Sequence, residues 1–93
     1  MSEHIVMKQA EESESDFLVY TGTFCGYCTA AKRLLTSKGL SFDEINFDHE
    51  DYDLRSQVVE LTGHRTVPVI FDNREETLVF VGGFDELSRY LKS

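Results

Sequence analysis

The sequence predicts a single α/β domain in which a central four-stranded mixed sheet is flanked by helices. Short apolar runs rich in strand-forming residues alternate with longer segments of helical spacing, in the order β-α-β-α-β-β-α. Alternation in the first half predicts a parallel strand pair joined by a crossover helix, and two consecutive strands near the end predict an antiparallel hairpin. A chain of 93 residues, 41% of them apolar, can bury a modest core as one small domain.

The domain is expected to span residues 16–93, after a polar extension. Residues 1–15 are rich in acidic residues and serine and are predicted to be flexible. The short apolar patch at residues 5–7 could add an edge strand.

The first half of the domain predicts two strands, each followed by a helix. Residues 17–21, "FLVYT", form an apolar run typical of a buried strand. Residues 26–38 place alanines and leucines on one helical stripe, and Gly39 ends that helix. Residues 41–47 have strand composition, and residues 51–63 begin with acids and end with glycine, as a helix does.

The second half predicts a hairpin and a final helix. Residues 66–72 and 77–81 are apolar runs separated by the polar turn "NREE". Residues 84–92 carry two acids in their first turn, which is typical of a helix start.

The charge of the chain excludes some classes of function. With 9 basic and 17 acidic residues, the net charge is −8, which argues against nucleic acid and against an anionic membrane surface. No apolar run approaches the roughly 20 residues that a membrane span needs. The start of the chain shows no secretory signal, so a cytoplasmic location is expected.

Two cysteines, separated by two residues, lie in residues 24–29, "FCGYCT". Cys25 falls where the first strand gives way to a helix, and the free N–H groups at a helix start favour an anion. The helix dipole contributes about 0.3–1 kcal/mol, and hydrogen bonds from the N–H groups of Tyr27 and Cys28 would lower the pKa of the Cys25 thiol further. We therefore expect Cys25 to be an attacking thiolate and Cys28, one turn deeper, to be a more buried resolving thiol.

Two other interpretations of the cysteines stay open from spacing alone. A structural zinc site needs four protein ligands, whereas His4, His49 and His64 are scattered without ligand spacing. Inert core cysteines would fit Cys28 but fit Cys25 poorly, because Cys25 opens a helix. Redox chemistry is the interpretation that spacing and context favour.

A single proline, Pro68, lies in the segment "TVP". It either marks the start of the third strand or forms a cis bond that turns the backbone of Val67 outward toward an extended substrate. Only about 5–6% of such bonds are cis, so the residue alone does not decide.

Three motifs in order, "CGYC", "TVP" and "GGFDEL", resemble the glutaredoxins, and the resemblance runs from about Phe17 to Leu91. It implies a thioredoxin-like fold, with glutathione as co-substrate, Cys25 as nucleophile and Cys28 as resolving cysteine. The residues that it implies for glutathione binding are Tyr27, Arg65, Thr66, Val67, Pro68 (in cis), Gly83, Phe84 and Asp85.

The resemblance also implies a role for each part of this site. The loop from Thr66 to Pro68 would pair with the cysteine backbone of glutathione. The N–H groups at the start of the last helix would bind its γ-glutamyl carboxylate, and Asp85 would receive its ammonium. Arg65 could bind the glycine carboxylate as a fork. The competing interpretations are an ordinary helix-start acid for Asp85 and a solvated charge for Arg65.

The chain departs from the resemblance at three places. Gly22 stands where many relatives carry lysine, which predicts weaker glutathione affinity. Gly26 replaces the proline of the commonest dithiol members and opens space above Cys25. The hairpin over residues 69–81 is a few residues longer than usual, and we assign it no function.

The leading hypothesis is a monomeric glutathione-dependent thiol–disulfide oxidoreductase acting on disulfide-containing or glutathionylated proteins. One alternative is a carrier or sensor of a [2Fe–2S] cluster, held in a dimer by Cys25 of each chain and two glutathiones. Another is a thioredoxin-like electron donor fed by a flavoenzyme, against which the "TVP" and "GGFD" segments weigh.

Overall fold

A computed structural model describes residues 4–50 and 52–92 of the chain. The helices that it contains are α1 (Ile5–Glu12), α2 (Gly26–Ser37), α3 (Tyr52–Thr62) and α4 (Phe84–Lys92). The strands are β1 (Phe17–Thr21), β2 (Phe42–Asn46), β3 (Val69–Asp72) and β4 (Val79–Gly82), and a short 3-10 turn spans Phe47–His49.

Within the described residues, the strands form one mixed sheet in the order β2-β1-β3-β4. β1 runs parallel to β2, with Tyr20 opposite Ile45, and antiparallel to β3. β3 pairs with β4 as an antiparallel hairpin with an irregular register after Ile70. The mixed sheet and the order β-α-β-α-β-β-α after residue 16 confirm the predicted thioredoxin-like architecture.

The core lies on both faces of β1, all of whose residues are buried. Because side chains alternate along a strand, Leu18 and Tyr20 pack on the face that α1 and α3 cover. Phe17 and Val19 pack on the opposite face, together with residues of α2 and α4. The end of β1, where Cys25 follows, is therefore held from both sides.

The helix α1 corrects the expectation of a polar flexible extension with an edge strand at residues 5–7. Val6 is completely buried and Ala10 nearly so, because residues four apart share one helix face. The Nδ1 atom of His4 accepts a hydrogen bond from the N–H of Val6 at the helix start. At its other side, Gln9 accepts a hydrogen bond from the hydroxyl of the buried Tyr20. Residues 5–12 thus pack on the core as a helix.

Two strand boundaries also differ from the prediction. β3 begins at Val69 rather than at residue 66, because residues 66–68 form a loop with a cis Val67–Pro68 bond. β4 begins at Val79 rather than at residue 77. The loop before β3 is consequently free of the sheet ladder.

The β3–β4 hairpin is tied to two helices. The side-chain amide of Asn73 donates a hydrogen bond of 2.9 Å to the carbonyl of Ala10 in α1. The buried carboxylate of Asp72 accepts hydrogen bonds from Arg74 and, at 2.6 Å, from the hydroxyl of Tyr90 in α4. Burial alone would raise the pKa of Asp72, but these hydrogen bonds hold it below its usual value.

No helix among residues 4–50 and 52–92 combines the length and the apolar character needed to cross a membrane.

Candidate active site

Cys25 caps the start of α2, directly after the loop that leaves β1. Its backbone is extended while Gly26 begins the helix, and its Sγ atom accepts a hydrogen bond of 3.1 Å from the N–H of Cys28. We expected donors from both Tyr27 and Cys28, and the structure shows the one from Cys28. A sulfur in this position faces the positive end of the helix dipole, which stabilises a thiolate once the cysteine is reduced.

Cys25 and Cys28 form a disulfide across one turn of helix, with their Cα atoms 5.2 Å apart. Their exposure differs: Cys28 is 2% exposed, whereas Cys25 is half-buried. An incoming sulfur therefore reaches Cys25 more easily than Cys28. This is the asymmetry expected of a nucleophile and a resolving thiol.

The loop before β3 lies against the disulfide. Its Val67–Pro68 bond is cis, as the resemblance implies. The carbonyl oxygen of Val67 lies 3.7 Å from the Sγ atom of Cys25. Backbone groups of this loop thus stand next to the reactive sulfur.

A cavity of about 300 Å³ opens between this loop and the start of α4. It is lined by seven of the residues that the resemblance implies for glutathione binding, which are Tyr27, Thr66, Val67, Pro68, Gly83, Phe84 and Asp85. Arg65 does not line it, because that exposed side chain borders a separate groove along α3, with Arg55 and Glu60. The structure thus brings seven of the eight predicted residues to one cavity, and their binding of glutathione, like that of Arg65, stays a prediction.

Two residues that the sequence analysis did not single out, His64 and Glu86, also line the cavity. The signals for them were weak: His64 stands two positions before Thr66, and Glu86 stands three positions after Gly83, the spacing of a capping box. The loop and the helix start that carry them are far apart in sequence, so the sequence does not show that they meet.

Glu86 caps the start of α4 with its own side chain. Its Oε1 atom accepts a hydrogen bond of 2.7 Å from the N–H of Gly83, and this bond holds the pKa of Glu86 below its usual value. Gly82 has a φ of 123°, and a Cβ atom added there would lie 2.9 Å from the Cβ of Glu86. Only glycine fits this close approach. The Gly83 N–H that we expected to bind a substrate carboxylate thus has an internal acceptor.

His64 lies at the mouth of the same cavity. Its Nε2 atom is 3.3 Å from the hydroxyl oxygen of Thr66 and would be 3.3 Å from a Cβ atom added to Gly83. The ring packs edge-on against Phe80 with centroids 5.8 Å apart. The imidazole therefore stands between the loop before β3 and the start of α4.

Aromatic side chains surround the disulfide on the open side. Tyr27 is 66% exposed, and its ring lies 6.1 Å from that of Phe84. Phe24, directly before Cys25, is completely exposed. These rings offer apolar contact area to a molecule that approaches Cys25.

Comparisons with known proteins agree with this geometry. The family model described as Glutaredoxin matches residues 17–76. A glutaredoxin from Vernicia fordii is 37% identical over 86 residues, covering 88% of this chain and 79% of the relative. A glutaredoxin from Neisseria meningitidis serogroup A is 43% identical over 72 residues, covering 76% of this chain and 79% of the relative.

Solved structures show the same fold. The crystal structure of a wheat glutaredoxin matches with a TM-score of 0.77 at 30% identity, covering all 100% of this chain and 88% of the other. A buckwheat glutaredoxin solved as a glutathione complex matches with a TM-score of 0.75 at 24% identity, covering 98% of this chain and 86% of the other.

The sheet, the helix start and the Cys25–Cys28 pair define a thiol–disulfide oxidoreductase with a thioredoxin-like fold. The chain belongs to the glutaredoxin family, and its two active-site cysteines make it a dithiol member.

Proposed function

We propose that this chain uses glutathione to reduce protein disulfides and mixed disulfides between proteins and glutathione. One observation carries the proposal: the cavity beside Cys25 is walled by the loop before β3 and by the start of α4. The backbone of Val67, in the loop before β3, supplies hydrogen-bonding groups to a peptide, and Asp85 supplies a negative charge for an ammonium. The volume of this cavity, about 300 Å³, suits a small ligand.

The reaction begins with reduced cysteines. The Cys25 thiolate attacks the glutathione sulfur of a mixed disulfide, the old S–S bond breaks, and the protein thiolate leaves and takes up a proton. Cys25 then carries glutathione in a new disulfide. A second glutathione thiolate attacks that glutathione sulfur, which releases glutathione disulfide and restores Cys25. Each mixed disulfide thus consumes one free glutathione, because the other half of the glutathione disulfide product comes from the substrate itself.

For a disulfide between two protein cysteines, Cys28 completes the reaction. Cys25 forms a mixed disulfide with the substrate, and the Cys28 thiolate attacks the Cys25 sulfur, which expels the reduced substrate. The product is the Cys25–Cys28 disulfide that the structure contains. This cycle needs a reducing compartment such as the cytoplasm, where glutathione supplies electrons, and a single chain suffices for it.

A [2Fe–2S] cluster does not fit the residues of one chain. Gly26 leaves open space, as expected, since nothing lies within 4 Å of a Cβ atom added there. However, the cluster needs four ligands, and in the dimer considered above one chain supplies only Cys25, the others being Cys25 of a second chain and two glutathiones. Across residues 4–50 and 52–92, no three His, Cys, Asp or Glu side chains are grouped to hold a metal. We therefore derive no step through a cluster.

A reduction assay with hydroxyethyl disulfide, glutathione and an NADPH-coupled glutathione reductase tests the proposal. We expect Cys25→Ser to lose at least about a thousandfold in rate, because the nucleophile is gone. Cys28→Ser should retain much of the activity, since glutathione itself resolves the mixed disulfide. Equal loss in the two variants would rule out this route, and turnover with thioredoxin reductase but not with glutathione would overturn the proposal.

A further inference from the structure

The charges that line the cavity are unbalanced for the substrate that we have proposed. The lining residues that the structure describes include two acids, Asp85 and Glu86, and contain no lysine or arginine. Glutathione brings two carboxylates and one ammonium. Within residues 4–50 and 52–92, His64 is the one lining side chain that can become a cation.

His64 has a polar neighbour but no ion pair within the described residues. The Oε1 atom of Glu86 accepts from the Gly83 N–H at 2.7 Å, and its Oε2 atom lies 3.4 Å from Arg89. A charge on His64 helps to lower the pKa of Glu86, after the hydrogen bond from Gly83. The carboxylate of Glu86 thus has partners other than the imidazole.

The groups that face His64 come from every neighbouring element. The start of α4 contributes Asp85 and Glu86 to the cavity wall that His64 shares, and α2 contributes Tyr27. The same loop contributes Thr66, whose hydroxyl is 3.3 Å from Nε2, and β4 contributes the uncharged ring of Phe80. The two carboxylates make this part of the cavity wall acidic, and the imidazole is the basic group beside them.

We propose that His64 is a specificity-determining residue that, when protonated, binds a carboxylate of glutathione at the cavity mouth. Glutathionyl ligands therefore bind more tightly as the pH falls from 8 to 5.5. The position of Nε2, between the loop before β3 and the start of α4, lets one N–H donate toward a peptide that lies across both segments. This inference rests on the proposed use of glutathione.

S-methylglutathione, which has no free thiol to exchange with a disulfide, serves as the probe for a binding titration at pH 5.5, 6.5 and 8. The titration uses the oxidised protein, because the Cys25–Cys28 disulfide carries no charge that changes with pH. We expect wild type to bind about fivefold more tightly at pH 5.5 than at pH 8, the order of a partly exposed charge pair. The affinity of His64→Gln for S-methylglutathione should change less than about twofold between pH 5.5 and pH 8. His64→Lys should bind the probe tightly at all three pH values, since the lysine ammonium stays protonated in this range.

Controls separate this effect from other titrations. His49→Gln alters an exposed histidine that borders a different groove, with Glu44 and Glu50, and should keep the wild-type pH dependence. In the reduction assay, His64→Gln should raise the KM for a glutathionylated peptide at pH 6 with little change in kcat, which a loss of folding would not produce.

The inference would be overturned if wild type and His64→Gln showed the same pH dependence of binding. It would also be overturned if His64→Lys bound the probe more weakly than wild type at pH 8. Both results would leave the proposed function standing if wild type turns over with glutathione. A wild type that shows no turnover with glutathione would overturn both.

Discussion

At the scale of single residues, neighbouring positions in the loop after β1 control the reactive sulfur and its access. Cys25 accepts from the N–H of Cys28, while Phe24 is completely exposed. Gly22 faces the loop before β3, since a Cβ atom added to it would lie 3.4 Å from Cγ2 of Val67, an ordinary contact. A side chain can therefore be introduced at Gly22 without moving that loop.

The variant Gly22→Lys is expected to lower the KM for a glutathionylated peptide by up to about fivefold. An exposed ion pair between the new ammonium and a substrate carboxylate contributes about 0–1 kcal/mol, and kcat should change little because the helix start still holds the Cys25 thiolate. Steady-state kinetics at pH 7 measure this. Gly22→Ala is the matched control for packing, and an unchanged KM in Gly22→Lys would show that the missing lysine does not limit affinity.

The sequence placed Cys25 and the start of α4 from local patterns, because each depends on a helix start encoded by adjacent residues. The cis Val67–Pro68 bond followed only from the resemblance, since proline alone does not decide it. His64 and Glu86 were missed as cavity residues because the loop and the helix start that carry them meet only in the folded chain. Arg65 borders the groove along α3, and its binding of a substrate carboxylate stays a prediction.

At the scale of elements, α1 is part of the core. Val6 is completely buried beside the β1 residues that pack under α1, whereas Met7, the next residue, is 36% exposed. Gln9 also supplies the acceptor for the hydroxyl of Tyr20, a polar group that burial would otherwise leave unsatisfied. Residues 5–12 therefore stabilise the domain.

We expect Val6→Ala to reduce the free energy of unfolding by about 1.5–3 kcal/mol, because a fully buried apolar side chain is truncated. Met7→Ala, on the exposed side of α1, should change it by less than about 0.5 kcal/mol. Urea denaturation followed by circular dichroism checks both. If both variants changed the free energy of unfolding equally and by little, residues 5–12 would be a flexible extension that does not pack on the core in solution.

The elements that the sequence predicted well are those with strong periodicity. β1 coincides with a continuous run of buried residues, and α4 carries acids at its start and apolar residues on one face. α1 has only eight residues, with Val6 and Ala10 as its buried positions, and its charged and polar composition resembles that of a disordered segment. Its helical state comes from tertiary packing, which local composition does not show.

At the scale of the whole molecule, the net charge of −8 gives the protein a negative field. This field acts on any charged substrate before contact, over a Debye length of about 10 Å at 0.1 M salt. The basic residues Lys32 and Arg33 of α2, the helix that Cys25 caps, oppose this field, although Lys32 is paired with Glu44 at 3.0 Å. The overall charge should therefore decide which protein substrates arrive fastest.

Two glutathionylated peptides that differ only in lysines or glutamates flanking the cysteine test this. We expect kcat/KM to be about tenfold higher for the lysine peptide at 20 mM ionic strength, and nearly equal for the two at about 0.5 M, where salt screens the field. A preference for the glutamate peptide at low salt would instead show that the basic residues of α2 outweigh the total charge.

The hydrogen bonds at Asp72 have a consequence for the cost of binding. Tyr90 anchors α4 about 9 Å along its axis from Phe84, at the end opposite the cavity, while Glu86 fixes the end that forms the wall. A wall that is held at both ends is preorganised. A ligand that binds against this wall loses little of its binding energy to ordering the protein backbone. For the proposed ligand, glutathione, the conformational entropy of the ligand itself is then the main ordering cost.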